Sequence, residues 1–426
     1  MKGDYILMSQ KQLQRVRVIG LVEAEKMTLR EAADKIGVCY RQAKRIRKRV
    51  REKGVQGLIH GNTGRCSGNR VPEKVKKRIL ELSAQKYEAF NDRHFWEELL
   101  EVEGMAVGRE TVRKIRRAAG IGPKRKRRPP QHRKRRQRRG QEGSMVIWDG
   151  SPHAWLGPDQ APCCLMAALD DATGMILAAR FFSFEGTEGY LWLLRQVVSR
   201  YGIPLAIYQD RHGALKRNDD HWSLEEELAG AQEPTQVGQA LKALGIHSIF
   251  ALSPQAKGRI ERLFGILQDR WGAELNWKRV ATLGQANALL PGLISRYNRR
   301  FALPARLSEK AWRPTPTTLD VDRAISFHYP AKVGLDNTVR LGGLTLDLPP
   351  GPYGRSYAKA RVEVRQLLNG SWRVYYQEGL IAKHPPTAIR EPLRALARNR
   401  SQTKRAKSYN WVYQASAQPI HDNAFT

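Results

Sequence analysis

The chain has 426 residues, enough for two to four domains with cores of their own, and 74 Lys and Arg against 41 Asp and Glu give it a formal charge of +33. That excess points to a polyanionic partner, nucleic acid first and an anionic membrane surface second. No apolar run approaches the roughly 20 residues needed to cross a bilayer, and no basic-then-apolar leader opens the sequence, so a cytoplasmic protein with no membrane span is expected.

Residues 10–60 read as three helices. Leu13, Val16 and Ile19 give the first an apolar stripe, and Thr28 with Glu31 forms a capping-box signature for the second. Gly37 supplies the turn. The third helix turns Ala43, Ile46 and Val50 inward and Arg41, Gln42, Lys44, Arg45 and Lys48 outward, as the recognition helix of a DNA-binding helix-turn-helix does.

A second helical module is expected over 72–121. Pro72 can open it, Phe95, Trp96, Leu99 and Leu100 anchor its middle helix, and Gly108 precedes another basic helix. There Val112 and Ile115 face inward, and Arg109, Arg113, Arg116 and Arg117 are left available to DNA. A basic linker, 122–143, follows. Its stretch 124–139 has eleven Lys or Arg and no acid, so it cannot form a core and suits contact with phosphates.

A catalytic domain is expected over 144–310. Strands are predicted at 145–149, 161–169 and 175–184, then a helix at 187–201, a strand at 205–209, a helix at 234–244, a strand at 246–252 and a helix from Pro254, with Ser253 as its cap. Three strands in an antiparallel meander followed by alternating helices and strands is the order of an RNase H-like α/β domain. Cys163 and Cys164 fall in the second strand and read as packed thiols; with Cys39 and Cys66 they show no zinc-type spacing. Residues 322–385 read as a small all-β domain, a barrel, with hairpin turns at Gly342-Gly343 and Asn369-Gly370. The basic tail 388–426 has no assigned structure.

Three acids stand out. Asp149 closes the run Met145-Val-Ile-Trp-Asp, Asp210 closes Leu205-Ala-Ile-Tyr-Gln-Asp, and Glu261 sits on the basic helix that follows Ser253. In the expected fold the first and fourth strands are neighbours, so the acids can converge with Lys257 and Arg259 beside them. Lys257, four residues before Glu261, shares its helical face and could contact substrate phosphate. Phosphodiester transfer needs an activated oxygen nucleophile and stabilisation of charge on phosphorus. Two divalent ions, Mg²⁺ or Mn²⁺, about 4 Å apart supply both, and hard cations prefer carboxylate oxygens. Asp170 and Asp171 read as hairpin residues. Asp219, Asp220 and Glu225 to Glu227 read as solvated charge, and His153 and His212 as loop or supporting histidines, with contact to DNA as the alternative.

The chain resembles bacterial insertion-sequence transposases of the DDE superfamily, in the ISNCY group, whose catalytic core is of the retroviral-integrase type. The likeness covers about residues 10 to 385. It rests on Trp148-Asp-Gly-Ser-Pro-His-Ala-Trp155, Leu169-Asp-Asp-Ala-Thr-Gly174, Thr187-Glu-Gly-Tyr190, Tyr208-Gln-Asp-Arg-His212, Tyr297-Asn-Arg-Arg-Phe301 and, most specifically, Ser253-Pro-Gln-Ala-Lys-Gly-Arg-Ile-Glu-Arg262. It implies that Asp149, Asp210 and Glu261 form a metal-binding catalytic triad. It implies helix-turn-helix modules that bind the element's terminal inverted repeats, a β domain like those of integrases, and joining of cut ends to target DNA by a homodimer or larger assembly. Gly108 departs from the usual Ser or Thr cap. A DNA-binding regulator without chemistry and a structure-selective nuclease of the same fold are the rival readings.

Overall fold

The computed structural model describes residues 8–59, 62, 70–124, 129, 136–217, 222, 224–230, 232–251 and 257–387. The expectations for Cys66, for most of the basic run, for Asp219 and Asp220, for Ser253 and Pro254 as a helix start and for the tail lie outside those residues. The chain divides into two compact units, Met1–Leu80 and Glu81–Thr426.

The first unit contains α1 (Gln10–Glu23), α2 (Leu29–Lys35) and α3 (Tyr40–Lys53). Ser9 with Gln12, and Thr28 with Glu31, form reciprocal capping boxes that satisfy free amides at the starts of α1 and α2. Ile19, Ile46 and Leu58 make one small core and Val18, Val22 and Ala32 another. Leu13, expected inside, is exposed: the buried face of α1 is set one turn later by Val18, Ile19 and Val22. Glu23 ties α1 to α3 by accepting from Arg47 at 2.7 Å and Arg51 at 2.9 Å. Arg41, Lys44 and Arg45 are exposed on α3 and Gln42 is half-buried, so the outward face expected of this helix is present.

The helix α4 (Glu73–Gln85) crosses into the second unit, which continues with α5 (Asp92–Glu101) and α6 (Arg109–Ala118). The helices α5 and α6 fall in the same compact unit as the central sheet. Gly108 caps α6 without a side-chain bond, in keeping with its departure from the usual cap.

The central sheet has the order β3-β2-β1-β4-β5. Its members are β1 (Val146–His153), β2 (Cys163–Asp170), β3 (Ile176–Phe182), β4 (Ala206–Gln209) and β5 (His247–Phe250). The first three pair antiparallel, and β4 and β5 add parallel to β1. The helices α7 (Thr187–Tyr201), α8 (Leu224–Ala229) and α9 (Gln236–Ala243) precede α10 (Gly258–Trp277) and α11 (Leu283–Phe301). A core of Trp148, Met166, Leu191, Leu194 and Leu241 covers one face, and Ile147, Leu165, Ile260, Leu267 and Leu290 fill the other. Sheets buried on both faces read as continuous apolar runs, as β2 does.

The edge strand β3 is closed off by α11. Asn287 bonds the amide and carbonyl of Phe181 at 2.8 and 3.1 Å, and Asn298 does the same at Ile176 at 2.8 and 2.9 Å. Two amide side chains thus occupy backbone groups that an open edge would offer to another strand.

The α5 helix is held to α10 and α11 by buried charge. Glu97 takes Arg270 at 2.6 Å and Arg300 at 2.7 Å, and Arg296 spans Glu98 and Glu274 at 3.1 Å each. His94 stacks on Phe90, with Nε2 3.2 Å from Glu274. His94, Glu98 and Glu274 are close enough to hold a metal ion. Arg296 already neutralises both carboxylates, so we read the cluster as an ion-pair network that docks α5.

After a short α12 (Val321–Ala324), the C-terminal strands are β6 (Phe327–Lys332), β7 (Thr338–Leu341), β8 (Leu344–Asp347), β9 (Arg361–Gln366), β10 (Trp372–Tyr376) and β11 (Gly379–His384). They form a four-stranded sheet, β11-β10-β9-β6, and a separate β7-β8 hairpin, where a barrel was expected. Gly342 and Gly343 both take positive φ, +53° and +91°, the geometry of a two-residue hairpin turn. Gln236 on α9 pairs with the backbone of His328 at 2.6 and 2.8 Å, seating this sheet on the central domain. No described helix is long and apolar enough to cross a membrane.

Candidate active site

Asp149 and Asp210 lie at equivalent positions on adjacent parallel strands. Ile147 pairs with Tyr208, so each acid is two residues beyond a matched pair. The residues just before them are bonded: the buried Trp148 indole donates to Gln209 Oε1 at 3.0 Å. Asp149 faces Ala167 on β2, and its side chain keeps 17% exposure. Asp210 follows the end of β4, and its Oδ1 accepts the His212 amide at 3.0 Å.

The third member of the cluster is Lys257, at the N-cap of α10. Its ammonium, with the side chain 7% exposed, sits 2.8 Å from Asp149 Oδ1 and 3.2 Å from Asp210 Oδ2. The cation expected to meet phosphate therefore bridges the two acids. Glu261 is exposed in the first turn of α10, four residues beyond Lys257. Burial pushes the Asp149 carboxyl up to about 6; Lys257 pulls it down, and the charges of Glu185 and Asp210 push it further up.

Glu185 is an acid that sequence reasoning missed. It precedes α7 and accepts a hydrogen bond from the fully buried Tyr190 hydroxyl. Burial first and the Glu185 charge second drive that hydroxyl strongly upward, and the Cys164 thiol, buried beside the same carboxylate, is pushed up to about 12. Gly150 carried the available signal. A glycine inside a strand often marks a close approach, and a Cβ there would lie 2.6 Å from the Glu185 carboxyl carbon.

Several expected positions differ in role. Arg116 is 3% exposed: it pairs with Asp92 at 2.9 Å, donates to the Phe90 carbonyl at 3.3 Å and stacks over the Phe95 ring, so it is not available to DNA. Arg109 is exposed, and Arg113 is exposed with its guanidinium on Glu110 of the same helix. Arg259 is partly buried, paired with Asp171 and bonded to the Arg136 carbonyl at 2.6 Å. Asp170 and Asp171 lie at the β2–β3 hairpin turn, as expected, and both are wholly buried there. Asp170 accepts from the Gly143 amide at 3.0 Å and the Thr173 hydroxyl at 2.7 Å. Burial raises the Asp171 carboxyl, but Arg136, the Arg139 amide and Arg259 outweigh it and hold the group below its ordinary value. Asp171 so clips residues 136–139 of the basic linker to the helix that carries Glu261. Glu226, expected solvated, is buried and takes Arg217 and the Glu233 amide. The strand β1 does run past Pro152, leaving His153 exposed with its ring against Trp155.

A small three-helix unit and, in the other unit, a mixed sheet with acids clustered at neighbouring strand ends are the class these features define. Residues 9–59 match the model of the homeodomain-like domain family. A putative transposase, y4bF, of Sinorhizobium fredii is 35% identical over 309 residues, covering 72% of this chain and 66% of that protein, just under two thirds of its length. The transposase for insertion sequence IS1202 of Streptococcus pneumoniae is 31% identical over 342 residues, covering 70% of each. The chain belongs to this family of insertion-sequence transposases. Among solved structures, a simian T-cell lymphotropic virus intasome is 14% identical, with a TM-score of 0.30, over 72% of this chain and 96% of that one. The HTLV-2 integrase catalytic core domain in complex with magnesium is 16% identical, with a TM-score of 0.27, over 39% and 94%.

Proposed function

We propose that this transposase cuts phosphodiester bonds at the ends of its element and joins the freed 3′-hydroxyls to target DNA. Asp149, Asp210 and Glu261 are the catalytic and metal-holding carboxylates in this reading. The observation that carries it is the Lys257 ammonium lying between Asp149 and Asp210: the chain's own cation already sits where two carboxylates from neighbouring strands converge. Oxygen-only donors suit a hard divalent ion. Asp149, Asp210 and Glu261 would hold two such ions, Mg²⁺ or Mn²⁺, which would supply Lewis acidity for phosphodiester displacement.

The remaining work falls to the protein. Trp148 and Gln209 hold the two strands in register so that both aspartates point the same way. With a divalent ion held by Asp149 and Asp210, Lys257 would be free to meet substrate phosphate. Arg41, Gln42, Lys44 and Arg45 of α3 read the terminal inverted repeats, with Arg109 and Arg113 adding phosphate contacts. Two ends must be paired, so a homodimer or larger assembly forms on DNA.

The test is cleavage and joining of labelled element ends with Asp149→Ala, Asp210→Ala and Glu261→Ala. Each is expected to lose both reactions and keep DNA binding; full activity in any one refutes that assignment. A pre-cut end bearing a 3′-hydroxyl separates a transposase from a nuclease, because only the former yields joined product.

A further inference from the structure

Resting on the reading above, we propose that Glu185 is a fourth carboxylate of the centre, one that strengthens divalent-cation binding between Asp149 and Asp210, with Tyr190 fixing its orientation. The argument begins at Gly150, the residue after Asp149. A Cβ at that position would meet the Glu185 carboxyl carbon at 2.6 Å and its Cγ at 2.9 Å, so the acid rests against the backbone beside Asp149 and only glycine leaves it room.

The two carboxylate oxygens face different partners. Oε1 accepts from Tyr190, and Oε2 is the atom nearest the Gly150 Cβ position. Tyr190 is fully buried and packs its ring against Trp148 at 5.4 Å, so the anchor is rigid and belongs to the layer that sets the register of β1 and β4. The Glu185 charge is felt at Asp149, alongside that of Asp210.

Charge balance points the same way. Asp149, Asp210 and Glu185 bring three negative charges and Lys257 one positive, a net of minus two that one divalent cation would balance. Such an outer acid need not bind the ion directly. Its negative charge attracts the cation through space, and outer groups that support a metal site commonly change affinity by about 10–100-fold when removed.

The probe is Mn²⁺, titrated into the full-length protein without DNA and followed by the electron paramagnetic resonance of the free ion. Glu185→Gln keeps an acceptor for Tyr190 and nearly the same volume but removes the charge. We expect its Mn²⁺ affinity to fall about 10–100-fold with a metal-free melting temperature no lower than that of the wild type. Gly150→Ala, which displaces the carboxylate without deleting it, should weaken binding in the same direction. Wild-type affinity in Glu185→Gln would mean that Glu185 only supports Tyr190, and the inference fails. Should Glu185→Gln not fold, wild-type affinity in Gly150→Ala overturns it equally. Asp149→Asn is the control for the underlying reading. It should abolish tight Mn²⁺ binding, and if it does not, the proposed centre itself is misplaced, whatever Glu185 does.

Discussion

Replacing Asp149 by Asn should stabilise the metal-free protein. Burial, relieved by Lys257 but reinforced by Glu185 and Asp210, moves this carboxyl from 3.8 to about 6. The difference is about two pH units, and at 1.36 kcal/mol per unit the ionised aspartate costs the folded state about 3 kcal/mol at neutral pH. The sign follows from the direction of the shift. A raised carboxyl favours the fold while protonated, below about pH 4, and that support is lost as pH rises through about 6. Asn carries no such charge. The stability difference between Asp149→Asn and wild type should therefore be near zero at pH 4, grow to about 3 kcal/mol by pH 7, and stay flat above. Urea or thermal denaturation in EDTA measures it, and subtracting the two proteins cancels the other titrating groups. Adding Mn²⁺ should reverse the order, because a ligand at about 1,000 times its Kd stabilises the wild type by about 4.1 kcal/mol and has little purchase on the variant. An Asp149→Asn protein no more stable than wild type at pH 7 in EDTA would refute the picture of a strained, desolvated acid.

Two further outcomes separate structural from DNA-facing arginines. Arg116→Ala should cost about 3 kcal/mol in denaturation, at the low end for a broken buried pair because Arg117 still serves Asp92. DNA affinity at a matched folded fraction should not change; a fall in affinity with intact stability would return Arg116 to the DNA surface. Arg45→Ala, on the exposed face of α3, should leave stability within about 0.5 kcal/mol. It should lower the slope of log affinity against log salt by about 0.9, one phosphate contact, and an unchanged slope removes Arg45 from the interface.

Local pattern made much of the layout legible. The Thr28–Glu31 capping box, the Gly-Gly hairpin and the order of the sheet's strands all show in residue spacing. Matching Asp149 and Asp210 to neighbouring strand ends needed only the expected topology. Partners distant in sequence were not legible. Arg116 reads as an outward arginine on a helical wheel, and only folding brings it to Asp92, 24 residues away. Asp171 reads correctly as a turn residue, but its burial does not show, because Arg259, which it binds, lies 88 residues on. Charged residues default to solvent in any periodicity argument, so a buried ion pair escapes it. Glu185 escaped for a related reason, since its signature was a missing side chain at Gly150.

The Trp148–Gln209 bond has a mechanical consequence. Backbone pairing between β1 and β4 extends over Val146 with Ile207 and Ile147 with Tyr208. At the next rung the strands are joined by the indole and the amide, and the aspartates come one residue later. The two acids thus project from backbones that are just parting, across a fork whose crotch is a single side-chain bond. The outer edges of both strands stay laddered, Trp148 to Ala168 and Gln209 to Phe250, so the fork is fixed in width by the sheet and adjusts through the carboxylate side chains, which would let the same pair grip an ammonium group at one stage and a smaller, more highly charged ion at another.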